Sequence, residues 1–169
     1  AAIEDHFDHS VELEATLIAK GKAAALETVR GMIHEPGTVA YVRQQEPAGL
    51  GHAVWCARHL IHDEPVAVLL ADDLILGSSC LAEMVASYQG GNMVAVMDVP
   101  KSETGSYGII TPGADHGQLV EVSGLVEKPD PANAPSNIGV VGRYIIESGV
   151  FAQLGTQDRG AGNEVQLTD

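Results

Sequence analysis

Apolar and polar positions divide the chain into two textures. Over residues 3–33 apolar side chains recur at helical spacing (Ile3, Phe7, Val11, Leu13, Leu17, then Leu26, Val29, Ile33), with Gly21 as the divider between two helices. Residues 38–42 (Thr-Val-Ala-Tyr-Val) have the β-branched look of a short strand. A glycine-containing loop at 44–51 leads into a helix at 52–61. At 66–71 an unbroken apolar run (Val-Ala-Val-Leu-Leu-Ala) follows Pro65; it is too short to cross a membrane and matches a strand buried on both faces. A helix at 79–88, capped by Ser78 or Ser79, and an apolar strand at 93–99 complete a βαβαβ alternation. That alternation predicts a mostly parallel sheet with right-handed crossovers, an α/β fold flanked by helices.

After Pro100 the texture changes. Short runs at 107–111, 119–122, 125–127 and 140–146 are separated by Gly, Pro, Asn and Asp, which predicts a small appended mixed or antiparallel β region. Residues 148–154 suit a short helix. No repeat, low-complexity tract or linker interrupts the 169 residues, which fit one domain.

Composition narrows the function classes. A formal net charge of −14 argues against a nucleic-acid backbone as partner, since that calls for a basic face. It also sits awkwardly with an anionic substrate unless metal ions and a few placed Lys or Arg residues handle the charge. No stretch approaches the ~18 apolar residues of a membrane span. The opening Ala-Ala-Ile-Glu-Asp-His has no signal-peptide pattern. Cys56 and Cys80 sit in apolar, helix-like surroundings, so they read as reduced thiols in a cytoplasmic protein rather than a disulfide. The chain opens without Met inside a helical pattern and closes on Gln-Leu-Thr-Asp, so both ends read as cut from a longer protein.

Several residues can carry chemistry. The run 66–71 ends on Asp72 and Asp73, and ligands gather at the carboxyl ends of strands in open α/β sheets. Either carboxylate suits Mg²⁺, which takes one or two carboxylates plus substrate phosphates; equally, the pair can open a solvated loop. The loop containing Gly49 and Gly51 either lets a ligand approach backbone or simply needs glycine for a tight turn. The Gln44 amide offers both donors and an acceptor to a base edge. Gly108 stands at the start of a strand. Glu127-Lys128, halted by Pro129, presents a hydrogen-bond acceptor for sugar hydroxyls and a cation for phosphate, or else a surface ion pair of little value. Residues 135–137 (Pro-Ser-Asn) are placed to bring polar groups beside that pair. The seven histidines form no cluster with zinc spacing, and neither cysteine has a basic neighbour that marks a nucleophile.

Together these segments resemble the bacterial UTP–glucose-1-phosphate uridylyltransferase (UDP-glucose pyrophosphorylase) family. The resemblance is carried by Asp5-His6-Phe7-Asp8, Val42-Arg43-Gln44 with Gly49-Leu50-Gly51-His52-Ala53, and Leu69-Leu70-Ala71-Asp72-Asp73-Leu74. It continues through Tyr107-Gly108, Val126-Glu127-Lys128-Pro129, Pro135-Ser136-Asn137 and Val141-Gly142-Arg143-Tyr144 to Gly162-Asn163-Glu164-Val165-Gln166-Leu167-Thr168-Asp169. It implies a Rossmann-like nucleotidyltransferase fold and a Mg²⁺-assisted reaction of UTP with glucose 1-phosphate, giving UDP-glucose and pyrophosphate by in-line attack on the α-phosphorus. By the same resemblance Gln44 and Gly49 read the uracil and Asp72, rather than Asp73, holds the metal. Gly108, Glu127 and Val140 line the glucose site, and Lys128 is the catalytic, phosphate-contacting lysine.

The sequence departs from the family at Ala48, where many relatives carry lysine. It also lacks the family's N-terminal G-x-G-T-R loop with its following lysine, and the later metal-binding aspartate expected beyond Asp169. The resemblance therefore implies the central part of one catalytic domain, inactive alone, from an enzyme that assembles as a homo-oligomer (dimer or tetramer). A thymidylyl- or adenylyltransferase, or a non-catalytic sugar-nucleotide-binding module, is the rival expectation.

Overall fold

A computed structural model describes residues 2–156, 160 and 163–168. The chain divides into two compact units, Ala1–Arg43 and Gln44–Asp169.

The first unit is helical: α1 (Ala2–His6), α2 (Val11–Ala19) and α3 (Ala23–Arg30). Gly21, at φ +64°, turns the chain between α2 and α3 as its position predicts. Leu17, Leu26 and Val29 form the half-buried stripe, while Val11, Leu13 and Ile18 stay exposed. A buried carboxylate joins the two helices. Glu14 accepts a hydrogen bond from Arg30 Nε at 2.8 Å and contacts His9 Nδ1 at 3.1 Å. The Arg30 and then the His9 hydrogen bonds hold its carboxyl below the usual carboxylate range. The depressed value fixes the sign of a pH effect. The stabilisation from Glu14 is complete above the ordinary carboxylate pKa of about 4.3, and is lost as pH falls through the lower folded value. Acid titration of helicity is expected to show this loss in the wild type and a flatter profile in Glu14→Gln; identical profiles would contradict it.

The second unit is built on a five-stranded sheet: β1 (Val66–Leu69), β2 (Met93–Asp98), β3 (Gly108–Asp115), β4 (Val120–Glu127) and β5 (Ile138–Ile146). Around it stand α4 (Leu50–Cys56), a 3-10 turn at Arg58–Leu60, α5 (Cys80–Ser87) and α6 (Val150–Leu154). Ser79 caps α5, accepting from Ala82 N at 3.3 Å.

The expectation of a mostly parallel sheet is corrected here, because every pairing among the described strands is antiparallel. β5 lies between β1 and β2: Tyr144 faces Val68 on one edge and Val94 on the other. β1 and β2 therefore share a direction, joined through α5 as the βαβ pattern requires, but a reversed strand separates them. The burial expected on both faces of the 66–71 run is corrected as well: among the described strands β1 ends the strand order, pairs only with β5, and leaves Ala67 and Leu69 exposed while Val66 and Val68 face the core. Residues 38–42 form no strand and are exposed, since no neighbouring ladder satisfies them. The two runs expected at 119–122 and 125–127 are one strand, β4, hairpinned to β3.

The core gathers on β5. Ile110, Val140, Tyr144, Ile146 and Phe151 form one buried cluster, with Val66, Val68, Val94 and Leu125 packed against it. Among the described residues no helix is long and apolar enough to cross a membrane.

Candidate functional site

The end of β1 separates the two adjacent aspartates. Asp73, though exposed, directs its carboxylate to β5, Oδ2 accepting from Gly142 N at 2.8 Å. Arg143 completes the strap, donating to the backbone oxygens of Leu70 at 2.9 Å and of Asp73. The close approach needs Gly142, because a Cβ there would stand 2.5 Å from Asp73 Oδ2 and 2.6 Å from Leu70 Cβ. Asp73 is thus occupied by the fold. Asp72 is exposed and makes no hydrogen bond or ion pair with the described residues, so its carboxylate is available to a ligand. No group of three or more His, Cys, Asp or Glu that could enclose a metal occurs among the described residues. One free carboxylate at a strand end still fits Mg²⁺, which completes its shell with waters and substrate phosphates.

Gly108, Glu127, Lys128 and Val140 come together where β3, β4 and β5 meet. Gly108 is the ladder partner of Glu127. A Cβ on Gly108 would lie 3.1 Å from Glu127 Oε2 and 3.8 Å from Val140 Cβ, so the missing side chain leaves the carboxylate accessible. Lys128 has left the strand in a left-handed conformation, φ +46°, and its backbone N–H donates to Tyr107 O at 3.0 Å. Its Nζ stands 3.9 Å from Glu127 Oε1 and is largely exposed. Behind the pair, burial raises the Tyr144 phenol above its ordinary pKa, and the charges of Glu127 and Asp73 add to the rise.

Gln44 and Gly49 meet directly, with Gln44 Nε2 donating to Gly49 O at 3.0 Å. Gly49 has φ +99° and no room for a side chain: its Cβ would reach Glu164 Cβ and Val165 O at 2.7 Å. The segment 163–168 clamps this loop. Val165 N donates to Ala48 O at 2.7 Å, and Gly51 N to Val165 O at 2.9 Å. That contact buries Ala48. The same segment reaches the other cluster, where Thr168 Oγ1 donates to Glu127 Oε2 at 3.5 Å. Gly162 and Asp169 of the last motif lie outside the described residues.

Three features were not anticipated from the sequence. The 163–168 clamp is a through-space contact that leaves no periodic trace. Cys56 has a basic neighbour after all, since its Sγ lies 4.0 Å from His52 Nε2 one helical turn away. The i, i+4 spacing on the expected helix was the available signal. Third, residues 135–137 serve the fold. Ser136 Oγ donates to Ile110 O at 2.6 Å and accepts from Ile138 N, and Asn137 O accepts from Val99 N. A cavity of about 840 Å³ between α5, β2 and β4 is lined by none of the seven expected site residues.

The Nucleotidyl transferase family model matches residues 6–168. UTP–glucose-1-phosphate uridylyltransferase of Komagataeibacter xylinus is 48% identical over 168 residues, 98% of this chain and 59% of that protein. An apo UDP-glucose pyrophosphorylase crystal structure superposes with TM-score 0.85 and 39% identity, covering 99% of this chain and 63% of that one. A UDP-glucose pyrophosphorylase complexed with UDP-glucose superposes with TM-score 0.80 and 33% identity, covering 99% and 62%. The chain spans 57–59% of the length of the relatives it matches in sequence. The chain belongs to the nucleotidyl transferase family, and within it is similar to the UTP–glucose-1-phosphate uridylyltransferases.

Proposed function

We propose that these residues are the central part of a single catalytic domain that makes UDP-glucose and pyrophosphate from UTP and glucose 1-phosphate. The observation that carries the reading is the 48% identity, along 98% of the chain, to a protein of that name. The geometry supports it. The reaction needs a base-reading loop, a sugar site and countercharge for phosphate, and Gln44–Gly49, Gly108–Glu127–Val140 and Lys128 offer one each.

In this reading Gln44 and the backbone at Gly49 bind the uracil. Glu127 accepts hydrogen bonds from glucose hydroxyls in the space left by Gly108, and Val140 supplies apolar lining. The Lys128 ammonium meets the phosphate of the sugar and holds its oxygen in line with the α-phosphorus. Asp72 would hold Mg²⁺, which when bound neutralises charge on the triphosphate. We assign the enzyme to the cytoplasm, a setting in keeping with the free thiols of Cys56 and Cys80. On the same resemblance it acts as a homo-oligomer, a dimer or tetramer.

The test is pyrophosphate release by the full-length protein in glucose 1-phosphate with UTP, dTTP or ATP. UTP is expected to give the highest kcat/KM, and Lys128→Ala to lower it by roughly 10²–10³-fold. Preference for dTTP or ATP would reassign the enzyme within its family. Absence of pyrophosphate release, with UDP-glucose binding intact, would favour a non-catalytic module.

A further inference from the structure

Gln44 has two acceptors around its amide nitrogen. Nε2 donates to Gly49 O at 3.0 Å and meets His52 Nδ1 at 2.9 Å. An amide nitrogen only donates, so His52 Nδ1 is the acceptor and the neutral ring carries its proton on Nε2. Cys56 Sγ lies 4.0 Å from that Nε2. The ring is held in place as well. It stacks on Trp55 (centroids 5.8 Å apart, planes at 24°), and Trp55 in turn lies under the Arg58 guanidinium at 3.5 Å. Gly155 closes the far side of Trp55, where a Cβ would come 2.7 Å from its Nε1.

The consequence falls on the other end of the amide. With Nε2 committed to Gly49 O and His52 Nδ1, the Gln44 carbonyl oxygen is the end without a partner among the described residues. Reversing the amide would set its oxygen against Gly49 O and would require the His52 ring to move its proton to Nδ1. We propose that His52 is a specificity-positioning residue: it locks Gln44 with its oxygen outward, so that the loop accepts a pyrimidine carrying an N3–H and rejects one whose N3 is a lone pair. This rests on the uridylyl reading above and deepens it, because uracil presents a donor at N3 and cytosine an acceptor. Thymine shares the uracil N3–H edge, so dTTP passes this lock as UTP does.

The experiment measures kcat/KM for UTP and CTP in the full-length protein, for wild type, His52→Ala and His52→Asn. Asparagine places an oxygen near the position of Nδ1 and keeps an acceptor for Gln44. His52→Ala is expected to shrink the UTP:CTP ratio roughly 5- to 10-fold, the worth of one hydrogen bond holding the amide, and His52→Asn to restore most of it. A ratio is independent of the fraction of folded enzyme, and a merely structural role would lower both nucleotides together. If His52→Ala fails to accumulate, His52→Gln, whose amide reaches the Nε2 and not the Nδ1 position, takes its place. An unchanged ratio in the alanine or glutamine variant, or an asparagine variant as relaxed as alanine, overturns the lock alone. A wild type with no preference for UTP over CTP overturns the uridylyl reading and the lock with it.

Discussion

Asp72→Asn is expected to lower turnover of UTP and glucose 1-phosphate by the full-length enzyme by roughly 10³-fold while leaving its melting temperature unchanged. The asymmetry follows from the strap behind it. Asp72 is exposed and makes no contact that the fold would miss, so an isosteric amide removes only a charge available to a metal. Asp73 is the opposite case, its carboxylate accepting from Gly142 N and its backbone oxygen from Arg143. Asp73→Asn keeps an oxygen but loses charge assistance, and should cost about 1 kcal/mol of stability with a smaller effect on rate. Activity against Mg²⁺ concentration, together with thermal melts of both variants, separates the two. If Asp73→Asn loses more activity than Asp72→Asn, the assignment of the metal to Asp72 fails.

The largest stability effect is expected at Gly142. An alanine there must fit a methyl group 2.5 Å from Asp73 Oδ2 and 2.6 Å from Leu70 Cβ, at the point where the register between β2 and β5 shifts. Neither neighbour is a loose side-chain tip, because Leu70 Cβ moves only with its backbone and Asp73 is held by its own hydrogen bond. Gly142→Ala should destabilise the protein by about 3 kcal/mol, with a fall in Tm on the order of 10 °C. Gly139→Ala is the internal control. Its Cβ would meet Val99 Cγ1 at 3.1 Å and Tyr107 Cβ at 3.3 Å, both looser than the contacts at Gly142, so its loss is smaller. Urea denaturation of the three proteins ranks them, and a Gly142→Ala variant as stable as wild type would show that the strap is slack.

The elements whose burial is written into the chain were legible from it. The apolar runs at β1, β2 and β5 mark strands, although only β5 is covered on both faces; Ala67 and Leu69 of β1 and Met97 of β2 are exposed. Strand order and direction were not legible. Whether Val68 pairs with a parallel neighbour or, as found, with the reversed Tyr144 depends on partners far along the chain. Residues 38–42 show the converse, since their β-branched pattern needs a ladder that those residues do not have. In the candidate site, Gly108 and Glu127 were read separately and prove to be ladder partners. Residues 163–168 were recognised as a motif, but not as the piece that touches both the Gly49 loop and Glu127. Sequence spacing cannot show that His52 Nδ1 faces Gln44.

The position of β5 has a consequence for synthesis on the ribosome. It is the strand to which β1, β2 and β3 all attach, and it is the last of the described strands to emerge. Until Ile146 has been made, Val66 lacks its described ladder partner, and that apolar run waits with this edge open. Yield in the cell is therefore governed by how that nascent segment is shielded as well as by the stability of the finished sheet. Slower translation between β1 and β5 is the condition that should cause most aggregation.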